Sequence, residues 1–312
     1  MAPQPQKLHI AVLDTDVPIP KVYAERGLYS TQFRTLLRAA ASRLKSQPVE
    51  IHTTAFDAVG GCLPPLECLR TATSEGYGSP LGPIDGILIT GSAAAAYDIT
   101  HQPWIAELQK FIQRVYAEYP EVKMFGSCFG HQIIAQALLG VDSPSCNGST
   151  KDGDGKKAAV KVEYCPEGHE VGIVPITLDE QFKSAFPILS TIPPESFRLQ
   201  LIHGDRVVSA FDPNVVSLPD GWVNLGHTAK CPIQGLYKPS RVLTYQGHFE
   251  FDTFVNRETC YAFAKRGNWP SENVEKFVKQ IEVAAVPGKD DDDDSKVAAE
   301  VVVQFFGGYA SA

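Results

Sequence analysis

Short apolar runs alternate with helically spaced apolar residues along the first half of the chain. Residues 8–13 form a mostly apolar run that ends at Asp and Pro, which predicts a buried strand followed by a loop. Residues 31–44 have helical spacing, and residues 49–53 predict a second strand. A third strand is predicted over residues 84–90, followed by a helix over residues 103–119. This alternation predicts a parallel sheet flanked by helices, because such crossovers join parallel strands.

The next predicted strand, residues 122–125, leads directly into a cysteine between two glycines. Gly126 and Gly130 lie two residues before and after Cys128, and residues 132–139 have a helical pattern. This arrangement is typical of a nucleophile elbow, a sharp strand-to-helix turn at the carboxyl end of a sheet. Glycine avoids collisions in so tight a turn, and a helix start favours a thiolate. A cysteine between glycines is also often a small buried apolar residue, so the motif alone leaves both interpretations open.

The second half of the chain predicts short strands in a more antiparallel arrangement that folds onto the same sheet. The runs that indicate these strands are residues 158–162, 173–178, 198–202, 222–225, 233–237 and 242–246. Helical patterns follow over residues 253–266, 272–286 and 295–306. The predicted fold class is therefore α/β, with an open, mostly parallel sheet flanked by helices, additional antiparallel strands and C-terminal helices.

We expect one domain over residues 1–255 and a helical extension over residues 256–312 that packs on it. Residues 142–157 are polar and rich in glycine, which predicts a flexible exposed loop. Five consecutive aspartates lie in residues 289–294, and this acidic segment predicts a solvated linker. The alternative is that its last members cap the final helix through the helix dipole. The spacing of the aspartates in this acidic segment is not that of a calcium-binding loop.

Composition and charge argue against several classes of function. Of the 312 residues, 44% are hydrophobic and 21% are charged, and the net charge is -8 without a basic stripe, so we expect no nucleic-acid partner. No apolar run reaches the roughly 18 residues of a membrane helix, and the first residues lack a signal-peptide core, which predicts a cytoplasmic protein without a membrane partner. The seven cysteines are scattered, which suits reduced thiols rather than disulfides or a zinc site. We expect no metal and no cofactor.

A candidate base for the cysteine lies about 120 residues further along the chain. His248 and Glu250 follow a predicted strand, and a period of two places their side chains on the same side. A carboxylate beside an imidazole fixes its tautomer and supports the imidazolium. Three other histidines are alternative candidates without this pattern: His131, His203 and His227.

Together, these motifs resemble the class I glutamine amidotransferase family, with its Cys-His-Glu triad and flavodoxin-like sheet. The likeness extends from about residue 8 to residue 254 and includes residues 90–98 and the His-Gly-Asp-x-Val segment at residues 203–207. The chain departs from the family at two places. Phe249 stands where proline is common, and residues 93–96 are alanines where a hydroxyl is often seen. Neither departure removes a catalytic side chain, but both affect the shape expected of the pocket.

The resemblance implies a role for each matched residue. Cys128 is the nucleophile, His248 protonates the leaving amine and Glu250 holds His248. The backbone N–H groups implied as the oxyanion hole belong to Gly91, Ser92 and Phe129. The residues implied to hold the glutamate end of the substrate are Gln132, His203 and Gly204.

Members of this family differ in the leaving group that is released when the γ-glutamyl bond is cleaved. The chain is more similar to the stand-alone branch, which includes γ-glutamyl peptidases that act on glutathione and its conjugates. The resemblance therefore implies hydrolysis of a γ-glutamyl amide or peptide bond in a small molecule, through a γ-glutamyl thioester. One alternative is a glutaminase subunit that delivers ammonia to a partner synthase, although the sequence shows no synthase or ATP-binding segment. The other is a non-catalytic regulatory protein with the same fold.

Overall fold

The computed structural model describes residues 5–74, 81–140, 159–193, 196–283 and 293–310. The strands are β1 (Gln6–Asp14), β2 (Val49–Asp57), β3 (Gly86–Ile89), β4 (Lys123–Ser127), β5 (Val160–Tyr164), β6 (Glu170–Leu178), β7 (Phe197–His203), β8 (Asp205–Ser209), β9 (Val223–Asn224), β10 (Gly226–His227), β11 (Leu236–Lys238) and β12 (Val242–Tyr245). The helices are α1 (Pro20–Arg26), α2 (Tyr29–Arg43), α3 (Pro103–Glu118), α4 (Phe129–Leu139), α5 (Glu180–Ala185), α6 (Thr253–Gly267), α7 (Ser271–Glu282) and α8 (Ser295–Gly307). The loop predicted over residues 142–157 and residues 289–292 of the predicted linker lie outside the described residues.

The centre of the fold is a seven-stranded sheet in the order β2-β1-β3-β4-β12-β11-β9. The five strands from β2 to β12 are parallel, and β11 and β9 extend the sheet antiparallel beyond them. The predicted fold class is thus confirmed. Because β4 and β12 are parallel neighbours, the residues that follow their carboxyl ends lie close together. These are the two segments that carry the cysteine and the His-x-Glu pair.

The strands of the second half divide among three sheets. Strands β9, β11 and β12 join the central sheet, whereas β5 pairs with β8 and β6 lies between β10 and β7. Both of these smaller sheets are antiparallel. The antiparallel character was predicted, but the prediction that these strands fold onto the central sheet was wrong for β5, β6, β7, β8 and β10. Pairing depends on contacts between distant segments, which the local pattern does not contain.

The core has two parts, one on each face of the central sheet. Alternation along β1 places Ile10 and Val12 in one part and Ala11 and Leu13 in the other. The first part includes apolar residues of α2 and α8, and the second includes those of α3 and α4. Both faces of the parallel strands are covered in this way, as parallel sheets require.

Helix α8 packs against α2 and β1. The Lys123 ammonium at the start of β4 donates hydrogen bonds to the carbonyls of Phe305 (3.0 Å) and Phe306 (2.9 Å), which satisfies the last turn of the helix. At its other end, Asp294 occupies the N-cap position, and its carboxylate accepts the Arg198 N–H at 2.7 Å. This aspartate therefore connects α8 to β7.

None of the helices in the described ranges is long and apolar enough to cross a membrane.

Candidate active site

Cys128 forms a sharp turn between β4 and α4. Its φ of 50° and ψ of -104° lie in a region that residues other than glycine rarely adopt. The turn is held by the Cys128 N–H, which donates to the Tyr245 carbonyl at 2.8 Å, and by the Cys128 carbonyl, which accepts the Gln132 N–H at 3.0 Å. Strain of this kind is maintained where it exposes a functional side chain. The backbone is that of a nucleophile elbow.

The two flanking glycines are required by close backbone contacts. A Cβ at Gly126 would lie 2.4 Å from the carbonyl carbon and oxygen of Gly130. A Cβ at Gly130 would lie 2.2 Å from the Ile89 carbonyl oxygen on β3. Neither distance allows an alanine without backbone movement, so the steric role predicted for these glycines agrees with the observed contacts.

Replacing Gly130 with alanine should therefore destabilise the fold by about 3 kcal/mol or more, because the new methyl group meets fixed backbone rather than a movable side chain. Urea unfolding followed by circular dichroism measures this loss. Gly307→Ala is the matched control, since its new methyl group would meet the Tyr309 ring, a side chain at the end of α8. Equal stabilities of Gly130→Ala and the wild type would contradict the steric argument.

His248 and Glu250 form a buried pair beside the elbow. The distance between His248 Nδ1 and Glu250 Oε1 is 2.7 Å. The His248 ring stacks on Phe251 with centroids 4.0 Å apart, and the backbone N–H of His248 donates to the Gln200 carbonyl at 2.8 Å. Because Nδ1 donates to the carboxylate, Nε2 is the ring nitrogen that is available for proton transfer. Nε2 forms no hydrogen bond of ordinary geometry among the described residues, and Cys128 is the side chain that interacts with it besides Glu250 at Nδ1.

The electrostatics favour a protonated His248. Burial lowers the pKa of His248, but the charges of Glu250 and Cys128 outweigh it and raise this pKa to about 10. At neutral pH the ring is then an imidazolium beside the Cys128 sulfur. An imidazolium of this kind stabilises a thiolate and can later give its proton to a leaving group.

Two further side chains complete the site and were missed from sequence. The Ser127 hydroxyl donates to Glu250 Oε1 at 3.0 Å. The Gln246 amide lies 3.5 Å from the Cys128 sulfur and can donate to it. The period of two that relates His248 to Glu250 extends back to Gln246, and this was the available signal. No comparable pattern indicated Ser127, because its partner is distant in sequence.

The predicted oxyanion segment lies against the catalytic pair. A Cβ at Gly91 would lie 3.1 Å from His248 Cε1 and 3.7 Å from Cys128 Cβ. The Gly91 carbonyl accepts hydrogen bonds from the hydroxyls of Thr15 (3.1 Å) and Thr90 (3.3 Å). Since the C=O and N–H of a trans peptide point in opposite directions, the Ser92 N–H is turned away from these hydroxyls.

The third predicted oxyanion donor is the backbone of Phe129. Phe129 is the first residue of α4, where helix N–H groups have no partner within the helix. Its ring is fully buried and packs on Trp104 with centroids 5.4 Å apart. The ring contact fixes the backbone next to the nucleophile.

The predicted substrate residues line one cavity with the cysteine. Gln132, His203 and Gly204 all border a space of about 330 Å³ that includes Cys128. The His203 side chain is held from within the protein, because Nδ1 donates to the Asp205 carbonyl at 3.0 Å and Nε2 lies 3.2 Å from Glu170 Oε2. Both ring nitrogens of His203 therefore face protein groups.

The chain is similar in sequence to several known proteins. No family model matches the chain. A glutamine amidotransferase-like protein of Schizosaccharomyces pombe is 29% identical over 255 residues, which cover 79% of this chain and 81% of that protein. A glutamine amidotransferase of Saccharomyces cerevisiae is 34% identical over 173 residues, and a gamma-glutamyl peptidase of Arabidopsis thaliana is 24% identical over 168 residues. Each of these two alignments covers 54% of this chain and 54% of the relative.

Solved structures share the fold. A glutamine amidotransferase from Thermotoga maritima superposes with a TM-score of 0.56 at 14% identity, and 96% of each chain is covered. One from Methylobacillus flagellatus gives 0.55 at 15% identity and covers 99% of this chain and 96% of that chain. The chain is therefore similar in sequence to proteins named as glutamine amidotransferases, and it shares the fold of solved ones.

The alternative histidines His131 and His227 do not serve the cysteine. His131 is fully buried in α4, its Nδ1 lies 2.8 Å from the Thr244 hydroxyl, and burial lowers its pKa to about 3. His227 is exposed on β10, in the sheet that contains β6 and β7. Of the candidate bases, the structure brings His248 to Cys128.

The departure at Phe249 does not alter the catalytic cavity. The Phe249 ring is buried in the core and packs edge-to-face against Phe33 (5.4 Å) and Phe125 (5.8 Å). It does not border either of the described cavities that include Cys128. The aromatic residue instead anchors the segment between His248 and Glu250 to the sheet.

Proposed function

We propose that the chain is a cysteine-dependent hydrolase that cleaves a γ-glutamyl amide or peptide bond, as in glutathione or a glutathione conjugate. The observation that carries the proposal is the strained elbow that presents Cys128 to a buried His248–Glu250 pair at an open cavity. The similarity to a gamma-glutamyl peptidase supports the choice of bond.

The reaction follows from the positions of these groups. The Cys128 thiolate attacks the γ-carbonyl carbon, and the N–H groups of the Gly91–Ser92 segment and Phe129 stabilise the oxyanion. His248 gives its Nε2 proton to the leaving nitrogen as the C–N bond breaks, which leaves a γ-glutamyl thioester. Neutral His248 then takes a proton from water as the water oxygen attacks the thioester. Glutamate leaves, and the thiolate and imidazolium are restored.

The second candidate function is a glutaminase subunit that passes ammonia to a partner synthase. It is favoured by the glutamine amidotransferase names of the two yeast relatives. The same triad would form the same thioester, but the leaving group would be ammonia. The two functions therefore differ in the substrate that releases glutamate and in the need for a partner.

Glutamate release from three substrates separates these functions. The purified protein is incubated with glutamine, glutathione and a glutathione S-conjugate, and free glutamate is followed by mass spectrometry. Release from the peptides but not from glutamine supports the hydrolase. Release from glutamine only when a second protein is added supports the amidotransferase subunit. An absence of release from every substrate would contradict both and favour a non-catalytic protein.

A further inference from the structure

Two cavities meet at the catalytic cysteine. The glutamyl cavity, of about 330 Å³, is bordered by Gln132, His203 and Gly204. The second cavity, of about 60 Å³, is bordered by His248 and Gly91. The residues that border both are Ser92, Ala93, Cys128, Ile202, Phe263 and Arg266. A substrate bonded at Cys128 can therefore extend into both spaces.

The second cavity is on the side of the leaving group. His248 must lie within hydrogen-bond reach of the leaving nitrogen to protonate it, and His248 borders the second cavity but not the glutamyl cavity. One water-sized molecule needs on the order of 10–15 Å³ of such space. The available 60 Å³ exceeds what ammonia would fill. We call this space the leaving-group cavity.

Arg266, in the last turn of α6, adds a positive charge to the leaving-group cavity beside that of His248. Among the described residues that border the two cavities, Arg266 alone has a permanent positive charge, and no carboxylate in the described part of the chain forms an ion pair with it. Asp16, the acidic residue of the leaving-group cavity, accepts the N–H groups of Val17 (2.7 Å) and Ala93 (2.8 Å). Asp16 is thus held by backbone donors rather than by an ion pair with Arg266, and the guanidinium can contact an anion.

Apolar side chains form most of the remaining wall. They are Val17, Ile19, Tyr29, Phe251 and Phe263. Arg266 is exposed where it borders the two cavities, and its planar guanidinium matches carboxylate geometry. The wall therefore fits an amine that carries a carboxylate, as every amino acid and peptide does.

We propose that Arg266 binds the carboxylate of an amino acid or peptide leaving group. The substrates are then γ-glutamyl amino acids or γ-glutamyl peptides with a free carboxylate on the leaving part, rather than glutamine. The assignment of this carboxylate to the leaving group rests on the proposed function. Arg266 is a specificity-determining residue in this account and takes no part in bond cleavage.

Binding to the inactive Cys128→Ala protein tests the proposal without turnover. The probes are a γ-glutamyl dipeptide with a free C-terminal carboxylate and the same dipeptide as its C-terminal amide, measured by calorimetry. We expect the acid to bind about tenfold more tightly or better, since a charge-assisted contact is lost in the amide. Adding Arg266→Gln should remove this preference and leave the affinity for the amide unchanged. The matched control is Lys265→Gln on the adjacent exposed residue, which should keep the preference.

Three results separate the possibilities. Equal affinities for acid and amide with Arg266 present would overturn the proposal. An equal loss of affinity for both probes in Arg266→Gln would also overturn it, because the residue would then contact the glutamyl part that the probes share. If the preference depends on Arg266 while the wild-type protein releases no glutamate from the dipeptide, the carboxylate site stands and the proposed hydrolase function fails.

Discussion

Replacing Cys128 with alanine should reduce glutamate release from a γ-glutamyl peptide by about 10⁴-fold or more, since no thioester can form without the thiol. The fold should be retained, because alanine is smaller and the elbow is held by backbone contacts to Tyr245 and Gln132. The measurement is kcat/KM by mass spectrometry of free glutamate, beside a circular dichroism spectrum of each protein.

The matched control is Cys62→Ala, which removes an exposed thiol. Its activity should equal that of the wild type. Undiminished glutamate release from Cys128→Ala would show that another group attacks the substrate and would remove the basis for the mechanism. A loss of activity in both variants would indicate that the assay reports a general effect of thiol removal.

The change Glu250→Gln should lower kcat/KM by roughly 10²–10⁴-fold and move its alkaline limb to lower pH. The amide oxygen can still accept the Ser127 hydroxyl, so the shape of the site is kept. What is lost is the negative charge that contributes most to the raised pKa of His248. In the variant, burial lowers the pKa of His248 without the opposing effect of the Glu250 charge.

The direction in which the alkaline limb moves follows from the role of His248 as a proton donor. In the wild type, activity should fall as the pH rises through the His248 pKa of about 10, because the neutral ring has no proton to give. In Glu250→Gln the fall should begin at a lower pH. The measurement is kcat/KM from pH 6 to pH 11, with Glu118→Gln on the exposed face of α3 as the control. An unchanged alkaline limb would contradict the assigned pairing of Glu250 with His248.

Much of the first half of the fold could be predicted because its pattern is local. The run over residues 8–13 lies within β1, and the helix predicted over residues 103–119 corresponds to α3. Helices α1 and α5 were not predicted. They have 7 and 6 residues, and helices so short depend on packing rather than on their own periodicity. The division of the later strands among three sheets depends in the same way on distant contacts.

In the site, too, residues with a local sequence signal could be predicted, whereas those that depend on distant contacts could not. The glycine-flanked Cys128 could be recognised once it was combined with the spacing of His248 and Glu250, since each of these two signals lies within a few residues. Ser127 reaches Glu250 across 123 positions of sequence, and Gln246 reaches the cysteine across 118. Such contacts arise only when β4 and β12 are placed side by side. Arg266 likewise joins the site through the position of α6 rather than through any motif.

Peptide mapping during turnover shows whether Cys128 forms a γ-glutamyl thioester, on which the proposed mechanism depends. The protein is quenched in acid while it consumes a γ-glutamyl peptide, digested and examined by mass spectrometry. We expect a γ-glutamyl group on the peptide that contains Cys128, in the wild type and in Cys62→Ala. Glutamate release with the acyl group on a different residue, or release that persists in Cys128→Ala, would contradict it.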